Sequence, residues 1–146
     1  MLKYSILDLA TVGEGISTKK TFENVRNLAQ HAEEWGYHRF WLAEHHNMKS
    51  IASSATSVLI GYLAEGTKTL RIGSGGIMLP NHSPFVIAEQ FGTLASLYPG
   101  RIDLGLGRAP GTDQVTAQAI RSDRMQSVYS FPEEIKQIRQ YLSTSN

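Results

Sequence analysis

The sequence predicts an α/β protein with parallel strands, on three observations. Strand-like and helix-like stretches alternate four times between residues 4 and 107. The connections are short, so each helix supplies the crossover between two parallel strands. Chemically capable residues also recur just past the ends of successive strands: Glu44-His45-His46, Asn81-His82 and Arg108. Polar groups gathered at one end of the strands describe a parallel barrel or an open sheet whose site lies at that end.

Taken in order, residues 4–9 form a first strand, followed by a loop through Gly13 and Gly15. Ser17 or Thr18 caps a helix whose apolar positions Phe22, Val25, Leu28, Ala29, Ala32 and Trp35 keep helical spacing, and Gly36 ends it. Residues 39–43 are the second strand. Ser53 or Ser54 caps the next helix, with Ala55, Val58, Leu59, Tyr62 and Leu63 inward and Gly66 as the stop. Residues 70–79 are the third strand. Ser83-Pro84 is an N-cap with proline at the first helical position, opening a helix with the stripe Ile87, Phe91, Leu94, Ala95 and Tyr98. Pro99-Gly100 terminates it, and residues 102–107 are the fourth strand. Beyond Gly111 the pattern weakens: residues 112–120 are a short helix, 121–130 a loop, 131–142 a helix with Pro132 at its start, and 143–146 a frayed end.

Composition narrows the function. The 146 residues fit one domain, 1–146, and 41% hydrophobic with 18% charged residues is ordinary for a globular chain. Fourteen basic against 13 acidic residues are scattered, which gives no footprint for nucleic acid. The absence of cysteine removes disulfides, a thiolate nucleophile and cysteine-bound metal. The N-terminal apolar stretch is short and broken by Asp8, so it suits a first strand rather than a signal peptide, and no run approaches the roughly 20 residues of a membrane span. The expectation is a cytoplasmic protein without membrane or nucleic-acid partners.

An eight-stranded barrel takes about 250 residues, and four units in 146 are close to half of one. A half-barrel leaves two unpaired edges. The chain is therefore either a flavodoxin-like open sheet or a barrel portion that needs a partner.

Three places can carry chemistry. Neighbouring residues on a strand point to opposite faces, so His45 and His46 do not readily chelate one metal; one faces the pocket and the other turns aside. An imidazole can act as base or donor at neutral pH, whereas the plainer alternative is a hydrogen-bonded pair that orders the loop. The glycines of Gly73-Ser74-Gly75-Gly76 mark a bulge or a place where a ligand approaches the backbone, and a kink without ligand is the plainer alternative. Ile77, Met78 and Leu79 then wall an apolar planar site. The stretch from Gly105 to Gly111 is not a dinucleotide fingerprint, because Pro110 stands where its third glycine is needed. Arg108 suits an anion such as phosphate, or else an ion pair with Asp8 or Glu44.

The segments WLAEHH (from Trp41), SGGIMLPNHSP (from Ser74), AEQFGTL (from Ala88) and YPGRIDLGLGRAPGTD (from Tyr98) carry a further signal. Through them the chain resembles, over essentially its whole length, the bacterial luciferase-like flavin-dependent monooxygenases, in particular LLM-class oxidoreductases of the MsnO8 type. The resemblance implies the N-terminal half of a TIM (β/α)8 barrel that binds reduced FMN, with the cofactor performing the oxygen chemistry. It implies His45 as catalytic histidine and Gly75-Gly76 as a bulge with a non-proline cis peptide under the flavin ring. It places Arg108 at or near the flavin phosphate, and Met78 and Asn81 beside the flavin. Glu44, His46 and His82 fall to the substrate side or the surrounding shell.

The function so implied is an FMN-dependent monooxygenase acting with O2 on a small organic substrate and fed by a separate flavin reductase. Relatives are roughly twice this length, so the barrel is completed by missing sequence or by self-association, and a homo-oligomer is expected. The rival expectations are a non-catalytic flavin-binding or assembly protein, a deazaflavin-dependent oxidoreductase on the same barrel, and a metal-dependent hydrolase using Glu44, His45 and His82.

Overall fold

The computed structural model describes residues 1–143. Four strands, β1 (Ser5–Asp8), β2 (Arg39–Leu42), β3 (Arg71–Met78) and β4 (Ile102–Gly107), form one parallel sheet in the order β1-β2-β3-β4. Helices α1 (Thr18–Glu34), α2 (Thr56–Glu65) and α3 (Pro84–Leu97) are the crossovers. Sequential order, with each new strand added beside the last, is that of a barrel wall; it rules out the flavodoxin-like alternative, in which the order doubles back.

Register explains which face is covered. Ile6, Phe40, Ile72 and Ile102 stand in one row across the sheet, and Phe40 and Ile72 are fully buried. They join Val25, Ala29 and Ala32 of α1, Ile60 and Leu63 of α2, and Ile87 and Phe91 of α3 in one core. Each large aliphatic or aromatic side chain so enclosed contributes about 1.5–3 kcal/mol. The next row, Leu7, Trp41, Gly73 and Asp103, points to the opposite face, where Leu7 remains 56% exposed. On this inner face Asp103 accepts from Arg39 Nε at 2.9 Å and from Arg71 Nε and Nη2 at 3.0 and 2.8 Å. Burial pushes the Asp103 carboxyl up, but the two guanidinium groups outweigh it and hold it below the usual range.

Ser17 accepts from Lys20 N at 3.1 Å and caps α1, and Gly36 beyond its end adopts φ +78°. Helix α2 differs from expectation. It begins at Thr56 without a side-chain cap, because Ser53 Oγ and Thr56 Oγ1 instead donate to the Ala43 carbonyl at 2.5 and 2.9 Å. Its buried stripe is shifted toward Ile60 and Ala64, leaving Val58 70% exposed. On α3, Ser83 precedes Pro84 as N-cap without a side-chain bond, and Ala88 rather than Ala95 is buried. Leu79–Asn81 form a short 3-10 turn after β3.

After β4 come α4 (Gln114–Ile120), capped by Asp113, α5 (Arg124–Tyr129) and α6 (Phe131–Ser143). Helix α5 lies where a loop was expected; its six residues show no apolar period to announce it. Of the expected frayed end, 143–146, Ser143 instead closes α6, and 144–146 lie outside the described residues. Among the described residues no helix is long and apolar enough to cross a membrane.

Candidate functional site at the C-terminal end of the sheet

The strand ends converge on one buried carboxylate. Glu44 follows β2, and its side chain is 1% exposed. An isolated carboxylate would not stay ionised there, so partners must compensate the lost hydration. Oε1 accepts from Met78 N at 3.0 Å and from His82 Nε2 at 2.8 Å. Oε2 accepts from His46 Nε2 at 2.7 Å and from Asn81 Nδ2 at 3.0 Å. Burial raises the Glu44 pKa, but the bonds and charge of His82, with those of His46 and Asn81, outweigh burial and hold it below the ordinary range. An ionised carboxylate only accepts, so both imidazoles carry hydrogen on Nε2.

The network extends to the end of β4. Asn81 Nδ2 also donates to the Pro110 carbonyl at 2.9 Å, and Asn81 Oδ1 accepts from Arg124 Nε at 3.0 Å. Arg124 donates as well to the Arg108 carbonyl. Arg121 Nη1 donates to the His82 carbonyl at 2.6 Å and to Ser127 Oγ at 3.1 Å. The loop after β4 is stitched to the loop after β2: His46 N donates to the Gly111 carbonyl at 2.9 Å and Thr112 Oγ1 to the His46 carbonyl at 2.7 Å. Sequence reasoning missed Arg121 and Arg124, because both lie in the stretch expected to be loop.

His45 differs from its neighbours. Its backbone N–H donates to the Ser53 carbonyl at 2.9 Å, while its Nδ1 is buried without a hydrogen-bond partner. A buried polar atom left unpaired costs about 1–3 kcal/mol, and this nitrogen is enclosed by the protein itself. His46 is turned into the Glu44 carboxylate. Both histidines lie past the end of β2 at Leu42, outside the reach of strand alternation, and neither bonds the other.

At Gly75-Gly76 the peptide is cis, as the resemblance implies, and the β3–β4 register shifts between Ser74 and Ile77. Ser74 Oγ compensates there, donating to the Gly105 carbonyl at 2.8 Å and accepting from Gly105 N at 3.1 Å. A Cβ at Gly73 or Gly105 would collide with the backbone of the neighbouring strand, so the close approach of β3 and β4 accounts for these glycines. Gly75 and Gly76 floor an open hollow on the inner face, shared with Leu7, Trp41, Gly105 and Leu106. Met78 is not among the residues lining it; its side chain packs on Gly107, with Cε 2.8 Å and Sδ 3.0 Å from where a Cβ would stand.

Arg108 is not in the ion pair that was one of its two expected roles. Glu44 is fully engaged, Asp8 Oδ1 accepts from Ala10 N at 2.6 Å, and among the described residues the Arg108 guanidinium has no carboxylate partner. It lies over the Phe131 ring, Cζ 6.0 Å from the centroid. Among the described residues no three His, Asp or Glu side chains are placed to hold a common metal ion.

Residues 2–145 match the luciferase-like monooxygenase family. A luciferase-like monooxygenase of Escherichia coli strain K12 is 61% identical over 94% of this chain and 41% of its own length. N-acetyl-S-alkylcysteine monooxygenase of Bacillus subtilis strain 168 is 46% identical over 97% of this chain and 42% of its own. The crystal structure of apo-MsnO8 superposes with a TM-score of 0.93 at 39% identity, covering 99% of this chain and 44% of that one. The chain thus spans well under half the length of the relatives it matches, and its four βα units are those of the luciferase-like (β/α)8 architecture.

Proposed function

The chain belongs to the luciferase-like monooxygenase family, and from that premise we propose that it supplies the FMN-facing wall of a monooxygenase acting with O2 on a small organic molecule. The observation that carries this proposal is the glycine-floored hollow on the inner face, with the His45 imidazole and Arg108 following the strands that build it. These residues fit a flavin. The hollow bounded by Trp41, Gly75, Gly76 and Leu106 accepts a flat apolar ring, and Arg108, free of carboxylates, suits a phosphate.

Reduced FMN, when bound, would supply two electrons for oxygen activation. In this role His45 offers its imidazole to the flavin or substrate and holds or passes a proton there. Gly75 and Gly76 let the ring approach the backbone, Met78 lines its side, and Asn81 braces the loop between β3 and α3. Glu44, His46 and His82 form the shell behind His45. The electrons come from a separate flavin reductase, and the reaction runs in the cytoplasm. The exposed inner face around Leu7 requires cover, which further strands provide in a longer chain and a second copy provides for these 146 residues, as a homo-oligomer.

The test is an equilibrium titration of the chain with FMN, repeated with the deazaflavin cofactor, followed by oxygen uptake with reduced FMN for wild type and His45→Ala. Saturable FMN binding near one per chain, with uptake lost in His45→Ala, is expected. FMN binding with equal uptake in both proteins would point to a non-catalytic flavin carrier. A preference for the deazaflavin would move the activity to that cofactor.

A further inference from the structure

Three imidazoles, those of His45, His46 and His82, lie at the C-terminal end of the sheet, and two are fixed on one acceptor. Each Glu44 oxygen takes one imidazole Nε2 and one amide-type N–H: His82 with Met78 N on Oε1, His46 with Asn81 Nδ2 on Oε2. Residue 46 is further pinned by its backbone, which bonds to Gly111 and Thr112 on either side. His45 sits between Glu44 and His46, with its own N–H held by Ser53. Its ring is the one whose buried nitrogen finds no partner.

We propose that Glu44 is the positioning residue of this site, locking His46 and His82 through their Nε2 atoms and so presenting His45 as the one uncommitted imidazole. The lock depends on an acceptor with no donor of its own. A glutamine keeps the shape but turns one oxygen into an NH2, which then faces two donors whichever way the amide is placed. The imidazole facing that NH2 must give up its Nε2 hydrogen and accept instead, and the amide-type donor beside it, Asn81 Nδ2 or Met78 N, loses its acceptor. The consequence for ligand binding rests on the flavin proposal above; the lock itself does not.

The experiment has two readouts on the full 146-residue chain. Long-range 1H–15N spectra of the imidazole rings report which nitrogen carries hydrogen. His46 and His82 are expected to carry hydrogen on Nε2 in wild type, with at least one losing it in Glu44→Gln. FMN titration is expected to show affinity about tenfold or more weaker in Glu44→Gln, the loss that follows from breaking hydrogen bonds to a charged group. His46→Gln and His82→Gln retain an N–H donor at the Nε2 position and are expected to stay within about twofold of wild-type affinity, whereas the leucine variants lose the lock and match Glu44→Gln. Nδ1–H tautomers at both rings in wild type would overturn the proposal, and so would Glu44→Gln binding FMN as tightly as wild type. If Glu44→Gln fails to fold, the wild-type tautomers and the glutamine–leucine contrast decide the question. If wild type itself binds no FMN, the flavin proposal fails, and the tautomers still test the lock.

Discussion

Substituting Gly111 with alanine separates steric from conformational effects at the site. Gly111 has φ +67°, a left-handed conformation that costs an L-residue about 1–2 kcal/mol. A Cβ there would also press into the Glu44 carbonyl oxygen, closer to backbone than real side chains come, and would touch His45 Cα at 3.4 Å. Relief requires the loop after β4 to move off the loop after β2, stretching the 2.9 Å bond from His46 N to the Gly111 carbonyl. Losing that bond adds about 1 kcal/mol. Gly111→Ala is therefore expected to lower unfolding free energy by about 2–4 kcal/mol, and to weaken FMN binding because the displaced segment carries His45. Gly100→Ala is the matched control: φ is +75° there, but nothing lies within 4 Å of the added methyl. It is expected to lose only the conformational part, about 1 kcal/mol, with FMN affinity unchanged. Urea unfolding of the three proteins, followed by FMN titration, measures both quantities. Equal destabilisation by the two substitutions would refute the packing argument, since their difference is the steric contribution alone.

Other expectations follow from the charged groups. Glu44 and Asp103 both have folded-state pKa values held below the ordinary range. Their contributions are present in full above the unfolded carboxylate value of about 4 and are lost as pH falls through the folded values; acid unfolding monitored by tryptophan fluorescence should show stability flat near neutrality and falling below about pH 4. Asp103→Asn leaves Arg39 and Arg71 sharing a neutral partner on a face that is only partly exposed, so a loss of about 1–3 kcal/mol in urea unfolding is expected, with FMN affinity little changed. Arg108→Gln, with no ion pair to break, should leave the urea midpoint unchanged while weakening FMN more than riboflavin; equal effects on the two ligands would remove Arg108 from the phosphate.

What the sequence discloses and what it hides have separate physical causes. Strands, crossovers and the chemical end of the sheet were legible because burial imposes periodicity: Phe40, Leu42 and Ile72 repeat at the strand period, and Val25, Ala29 and Ala32 at the helical one. The α2 stripe was misjudged because Thr56–Glu65 is apolar nearly all round, so period alone does not choose between Val58 and Ile60. Ser53 and Ser54 looked like caps because serine is the ordinary N-cap, but the Ala43 carbonyl at the end of β2 competes for the Ser53 hydroxyl and wins. Helix α5 escaped notice because its first residue, Arg124, is spent on Asn81 and the Arg108 carbonyl, partners 43 and 16 positions away.

The same distinction governs the site. Strand alternation was the basis for expecting His45 and His46 to part, but both lie past the end of β2, and it did not say which of them would be held. That choice is made by Asn81, His82 and Met78, which are brought to Glu44 from more than thirty positions away by the β2–β3 crossover. A carboxylate followed by two histidines in sequence looks like a candidate for chemistry of its own. In the folded chain it is an acceptor with every lone-pair direction in use, and His45 is the neighbouring imidazole it does not hold.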